Sequence, residues 1–269
     1  MGGGVNLTMP LLLRWAAGIA VWLVPSEPES ALLQQLMSRH PNPTSQHSFP
    51  HFYPHVTLAT IRRPPTTAGK REEDETAEGT LESGLGYDDR NMIDSDIDPT
   101  ILLAVREAIP LGQRALSQIR FGRVLTGDKY FLSIYIALVA PSTELAQLRS
   151  TLTQALTNAV GGGGPTNPES AQRQLPAFPH LSLFYIADEE AHTRVRLLQE
   201  MEREGVVRQS ADGLTVALRC GTEAQAQAGG EDAGLLEGFT GAQIWIVDCE
   251  GPVEEWKVLD KILLTTSDL

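Results

Sequence analysis

The sequence predicts an α+β fold built as two similar halves that face each other across a cleft. Two observations carry this. Pro54-His55-Val56-Thr57-Leu58 returns 125 residues later as Pro179-His180-Leu181-Ser182-Leu183. Each copy sits on a strand-like run near a long amphipathic helical stretch, so strands and helices alternate along the chain in two comparable blocks.

Taken in order, residues 1–18 read as an N-terminal extension and Ile19–Val24 as the first core strand. Ala16-Ala17-Gly18 resembles a small-residue cleavage site, yet the apolar run ahead of it is interrupted by Arg14 and short for a membrane span. Ser26 and Glu29 have capping-box spacing and open a helix whose apolar face is Leu32, Leu33, Leu36 and Met37. Residues 40–54, rich in Pro, His, Ser and Asn, read as loop, and 55–61 as the first motif strand. Residues 62–99 read as a mobile acidic insert, too poor in large apolar side chains to offset its ordering entropy.

A short helix is expected over Thr100–Ile109, stopped by Pro110. Strands at Ile119–Leu125 and Tyr130–Val139 flank a turn at Thr126-Gly127-Asp128-Lys129. Ser142 caps a helix with the stripe Leu145, Leu148, Leu152, Leu156. Residues 161–177 read as a flexible loop begun by four glycines, with no Lys-Ser/Thr to make a phosphate cradle. The second motif strand spans 180–187. Asp188 then caps a helix with Ala191, Val195, Leu198 and Met201 on its face. Strands at 214–219 and 241–248 flank a flexible loop over 222–240, and Trp256–Leu264 supplies the last strand. Residues 19–264 thus form one bilobal domain.

The net charge of −13 is concentrated: residues 72–98 hold eleven acids against Arg90, which leaves about −3 for the rest. Without an excess of Lys and Arg, a long nucleic-acid partner is not expected; a small anion needs only a few donors. Cys220 and Cys249 lack metal-ligand spacing and read as free thiols, with a bridge open if their strands are neighbours. The thiols fit a cytoplasmic protein, and the apolar start leaves a Golgi or secretory-pathway location open.

The twin motif carries the chemistry. On a strand, His55 and Thr57 share one face while Val56 and Leu58 plug the other; His180 and Ser182 repeat this against Leu181 and Leu183. By composition alone, two such matches are an accident of about one in a hundred. Two imidazoles suit general acid–base catalysis near neutral pH, and the hydroxyls can donate to an anionic phosphoryl oxygen. His47, His51 and His55 are spaced like a helical metal-ligand stripe, but Pro50 and Pro54 forbid that helix, so no metal site is expected. No G-x-S-x-G elbow supports a serine triad.

The paired His55-Val-Thr57-Leu and His180-Leu-Ser182-Leu motifs resemble the signature of the 2H phosphoesterases. Val21-Trp22-Leu23-Val24-Pro25, Tyr185 and Ile244-Trp245-Ile246-Val247 make the chain more similar to the fungal and plant 2′,3′-cyclic-nucleotide 3′-phosphodiesterases. The resemblance implies a bilobal fold whose pseudo-symmetric lobes each carry an antiparallel sheet and helices. It implies a monomer without cofactor or metal that acts on a small cyclic phosphate. Nucleoside 2′,3′-cyclic phosphates would give 2′-phosphates. ADP-ribose 1″,2″-cyclic phosphate, a by-product of tRNA splicing, would give the 1″-phosphate. His55 and His180 would then be the acid–base pair, Thr57 and Ser182 the phosphate clamps, and Trp22 and Tyr185 the lining of the base or ribose site. His180 is expected to activate water and His55 to protonate the departing oxygen. An RNA 2′-5′ ligase-like end-processing enzyme and a non-catalytic nucleotide-binding module are the alternatives.

Overall fold

The computed structural model describes residues 18–61, 98–160, 179–221 and 234–265, apart from positions 111, 141 and 212. The expected 1–18 extension up to residue 17, the 62–99 insert up to residue 97, the 161–177 loop and the 222–240 loop up to residue 233 lie outside the described residues, and Asp98 and Pro99 belong to the start of a helix rather than to the insert. Among the described residues no helix is long and apolar enough to cross a membrane.

The strands are β1 (Ile19–Pro25), β2 (Val56–Ile61), β3 (Leu116–Thr126), β4 (Ile134–Leu138), β5 (His180–Phe184), β6 (Val207–Gln209), β7 (Val216–Arg219), β8 (Leu235–Leu236), β9 (Gly238–Asp248) and β10 (Lys257–Leu263). The helices are α1 (Glu27–Met37), α2 (Pro99–Ala108), α3 (Thr143–Val160) and α4 (Ala191–Arg203). Strands β6, β7 and β8 form a small sheet, and the other seven join in the order β1-β2-β5-β4-β3-β9-β10. Strand β1 also pairs with β9, so the antiparallel pairings run in a closed circuit.

Alternation along the strands sorts the side chains onto two faces. Ile19, Val21, Leu23, Val56, Leu58, Ile134, Ile136, Leu181, Leu183, Ile244 and Ile246 belong to the main core. Leu33 and Leu36 of α1, Ile101 and Val105 of α2, the Leu145–Leu148–Leu152–Leu156 stripe of α3, and Leu197 and Met201 of α4 pack in the same core. The opposite face of β1 and β9 carries Ala20, Trp22, Val24, Trp245 and Val247 in a separate cluster. The helices thus occupy one face and leave the other for the site.

Local chemistry explains the helix starts. Both Ser26 donors, the backbone N–H and the hydroxyl, reach the Glu29 carboxylate at 3.2 and 2.5 Å, the expected capping box. The same carboxylate accepts from Thr240 N–H at 2.9 Å, which ties α1 to β9. The Ser142 hydroxyl accepts from Leu145 N–H at 3.2 Å, and Asp98 caps α2 through Thr100 N–H at 2.9 Å.

Several expectations are corrected. The motif strands are neighbours in one continuous sheet rather than opposite walls, because β2 and β5 pair directly at Val56 and Leu181. Tyr130–Leu132 is a 3₁₀ turn, so β4 begins at Ile134. Asp188 starts a 3₁₀ turn and pairs with the Arg194 guanidinium instead of capping α4. The buried face of α4 is Thr193, Arg194, Leu197 and Met201, and Val195 is 51% exposed. A one-residue rotation suffices for this, since Arg194 is drawn inward by Asp188 and the Ile186 carbonyl. The small sheet recruits Val207–Gln209, and the 222–240 stretch contains β8 and the start of β9. Cys220 and Cys249 are free and buried, each just past the end of a strand, β7 and β9, in different sheets.

Gly241 sits where β9 changes partners, opposite Pro25 of β1 and Leu116 of β3. A Cβ there would lie 2.7 Å from Leu23 Cδ1 inside the core. Gly241→Ala should therefore destabilise the protein by about 1–3 kcal/mol, the usual range for overpacking. Urea denaturation, read as a lowered midpoint with unchanged slope, checks this.

Candidate active site

The β2–β5 pair sets the site. Val56 and Leu181 are opposed and wholly buried in the core. An antiparallel register with that pair in opposition sets position 55 beside 182 and position 57 beside 180. The second hydroxyl thus neighbours the first imidazole, and the first hydroxyl the second, all four away from the core. The His180 charge is felt at His55.

His55 lies just before β2 and is 5% exposed. Its Nδ1 is 2.6 Å from the Tyr53 carbonyl. A carbonyl only accepts, so Nδ1 carries the proton and Nε2 keeps its lone pair. The Trp22 indole stacks on the ring at 3.7 Å and 9°, and Phe52 meets it edge-on at 6.1 Å. Burial lowers the His55 pKa from 6.5 to about 3; the Tyr53 carbonyl opposes the shift, and the charge of His180 adds to it. In the free protein His55 is a neutral imidazole.

His180 is partly exposed and meets the Tyr135 ring edge-on at 5.4 Å. Thr57 is half-buried and opposes Trp22 across β1 and β2. Ser182 is buried, opposes Tyr135 across β4 and β5, and donates to the Phe131 carbonyl at 3.2 Å. The Tyr185 hydroxyl is hydrogen-bonded with Ser182. Burial pushes the Tyr185 phenol up, so it keeps its proton across neutral pH.

All four motif residues are thus brought together. The two aromatic residues are both buried against other rings. Trp22 is 4% exposed and gives one ring face to His55. Tyr185 is 3% exposed and stacks on Phe52 at 4.1 Å and 11°. Trp22 thus packs against the first motif, and Tyr185 packs just past the second. Sequence reading missed Tyr53, whose backbone carbonyl sets the tautomer, as well as Phe52, Phe131, Tyr135 and Trp256. Of these, Phe131, Tyr135 and Trp256 carried a signal, as aromatic residues on expected strands.

The loop before His55 is fastened to the end of β5. Phe49 N–H donates to the Tyr185 carbonyl at 2.8 Å, and Ala187 N–H to the Ser48 hydroxyl at 3.0 Å. Thr44 N–H donates to Glu190 at 2.8 Å, and the Tyr130 hydroxyl to the His47 carbonyl at 2.8 Å. The Ser48 and Thr44 hydroxyls hold the Glu190 carboxyl down at about 2. A cavity of about 90 Å³ beside α1, lined by Met37, His40, Phe49, Phe52 and Phe184 among others, includes none of the motif residues. Among the described residues no three His, Cys, Asp or Glu side chains gather as a metal site.

The buried neutral imidazole links stability to pH. Unfolded His55 takes a proton below 6.5, whereas the folded one resists until about 3. The unfolded state binds more protons across that window, so stability falls as pH drops through it, by about 1.4 kcal/mol per unit at most. His55→Gln should flatten the dependence of Tm on pH between those limits, measured by calorimetry against the parent protein.

Comparison with known proteins bears on this arrangement. A family model described as "Cyclic phosphodiesterase-like protein" matches residues 77–264, well over half of the chain. The matched span holds His180, Ser182, Tyr185 and Trp256, and it begins after His55 and Thr57. No curated protein matches the chain. A solved structure described as "Crystal structure of phosphoesterase" aligns over 93% of this chain and 99% of that one, with 10% identity and a TM-score of 0.45. A likeness that distant adds nothing to the fold seen directly. The family match spans the second motif and most of the sheet around it, and the chain belongs to the cyclic phosphodiesterase-like family.

Proposed function

We propose that the protein hydrolyses nucleoside 2′,3′-cyclic phosphates to 2′-phosphates, and ADP-ribose 1″,2″-cyclic phosphate to the 1″-phosphate, as in metabolism of tRNA-splicing by-products. The observation that carries the reading is the pairing of the two motif strands, which gathers two imidazoles and two hydroxyls on one sheet face. Family membership supports cyclic phosphate hydrolysis in general. The choice of these two substrates rests on the motif resemblance.

The environment of His55 favours exchanging the roles expected from sequence. A neutral ring with Nδ1–H held by Tyr53 and a lone pair on Nε2 is ready to take a proton. Water attacks phosphorus in line with the 3′ oxygen and gives its proton to His55 Nε2. The P–O3′ bond breaks, and the His180 imidazolium protonates the departing oxygen. The phosphate stays on O2′, and the two histidines end with their protonation states exchanged. Thr57 and Ser182 donate to the non-bridging oxygens, where negative charge is concentrated during attack. Ser182 turns from the Phe131 carbonyl to do so. The protein groups supply every proton transfer.

A nucleotide-binding module without turnover would not need both imidazoles, so a catalyst is the better reading of a site that holds both. The deciding experiment is incubation with adenosine 2′,3′-cyclic phosphate and identification of the product. Adenosine 2′-phosphate is expected; the 3′-phosphate, or no reaction, overturns the reading.

His55→Ala and His180→Ala should each lower kcat by about 10² to 10⁴-fold, and the double variant by far less than the product of the two. Single-turnover assays on variants with parental circular dichroism check this. The pH profile of kcat/KM separates the roles. With His55 as base, activity rises through about pH 3 and stays flat until His180 loses its proton. A basic limb near neutral pH that vanishes in His55→Ala would instead return His55 to the role of acid.

A further inference from the structure

Trp256 lies among the aromatic residues that pack around the two motifs. It follows the 3₁₀ turn Val253–Glu255 and packs partly buried against both aromatic clusters of the site face. On the first-motif side its ring is 5.8 Å from Trp22, the residue stacked on His55. On the second-motif side it lies 6.0 Å from Phe131, whose carbonyl holds Ser182, and 6.3 Å from Tyr185.

Its only polar atom, the indole Nε1–H, is buried and finds no acceptor among the described residues. Buried donors are as a rule satisfied, and an exception needs a reason; Arg149 Nε, on α3, is another such donor. Neighbouring cases have one. Arg194 leaves Nε bare but bonds through both terminal nitrogens, and Glu190 leaves one oxygen bare but accepts through the other. Trp245, the other indole of this face, donates to Gln243 at 2.8 Å. Trp256 has no second atom to compensate, and its place is the site itself. We infer that Trp256 Nε1–H is a substrate-binding donor, which hydrogen-bonds an oxygen of the nucleoside phosphate bound between the two motifs. The inference rests on the proposed nucleotide chemistry. It adds a fifth contact, from outside both motifs, and gives the substrate an acceptor-seeking wall where the protein offers none of its own.

Nuclear magnetic resonance of isotope-labelled wild-type protein tests this, since four tryptophans give a resolvable set of indole N–H signals. The Trp256 signal is assigned through space to Tyr185 and Phe131, so the assignment does not depend on a variant that folds. On saturation with adenosine 2′-phosphate it should move downfield and exchange more slowly with water, while the Trp245 signal holds. Trp256→Phe, which keeps an aromatic ring and removes the donor, should raise KM for adenosine 2′,3′-cyclic phosphate about tenfold or more, as loss of a hydrogen bond to a charged group does. Turnover with an unmoved Trp256 signal overturns the contact and leaves the enzymatic reading intact. Binding with the shift but no turnover keeps the contact and overturns the reaction. Absence of both binding and turnover overturns both.

Discussion

Everything at the site depends on how β2 lies against β5. Only Val56 and Leu181 are paired between these strands, yet that pair fixes which side chains meet. Strand side chains have a period of two, so a slip by one residue would turn His55 and Thr57 into the core and drive Val56 and Leu58 toward the substrate. The slip is prevented from the core side. Val56, Leu58, Leu181 and Leu183 are all fully buried, packed with the α3 leucines. Hydrophobic burial, which has no direction of its own, becomes directional through the alternation of the strand. The motif face is where it is because the other face is full.

The register alone does not place His55, which precedes β2. Its position comes from a loop that by composition should wander. Bonds from Phe49, Ser48, Thr44 and Tyr130 fasten that loop to the residues following β5 or to the turn before β4. Phe49 takes a left-handed backbone, φ 59°, to make its turn. The first histidine is therefore held by the second half of the chain. Fixing that loop costs conformational entropy, and the bonds to Tyr185, Ala187 and Glu190 offset it.

The elements legible in the sequence were those with strong local signals. The Ser26–Glu29 box, the α3 leucine stripe and both motif strands could be read because propensity, pattern and tertiary contact agree there. The failures share a cause. In α4 the apolar pattern named Val195, but the Asp188–Arg194 pair turned the helix toward Arg194, a tertiary term that no periodicity encodes. The direct contact of the motif strands was missed because strand order is long-range information. The His55 tautomer was invisible because it depends on the carbonyl of Tyr53, and main-chain groups are the same in every residue. The ring contacts of Trp22 and Tyr185 could not be read, since an aromatic ring that stacks on a ligand and one that stacks on another side chain look alike in sequence.

The two motifs are nearly identical as text and unequal as environments. One imidazole is sealed under Trp22 and Phe52, with a carbonyl on Nδ1; the other is partly open beside Tyr135. Acid–base catalysis needs one partner that arrives without a proton and one that arrives with it. Two equal histidines in one cleft would compete for the same proton near the same pH. Burial breaks the tie, because it penalises the charged form of the sealed ring, His55. The mutual repulsion works in the same sense, since a proton on His180 makes one on His55 harder to add. The asymmetry that the proposed reaction needs is thus created by packing around the first motif, while the repeated sequence supplies only the two rings.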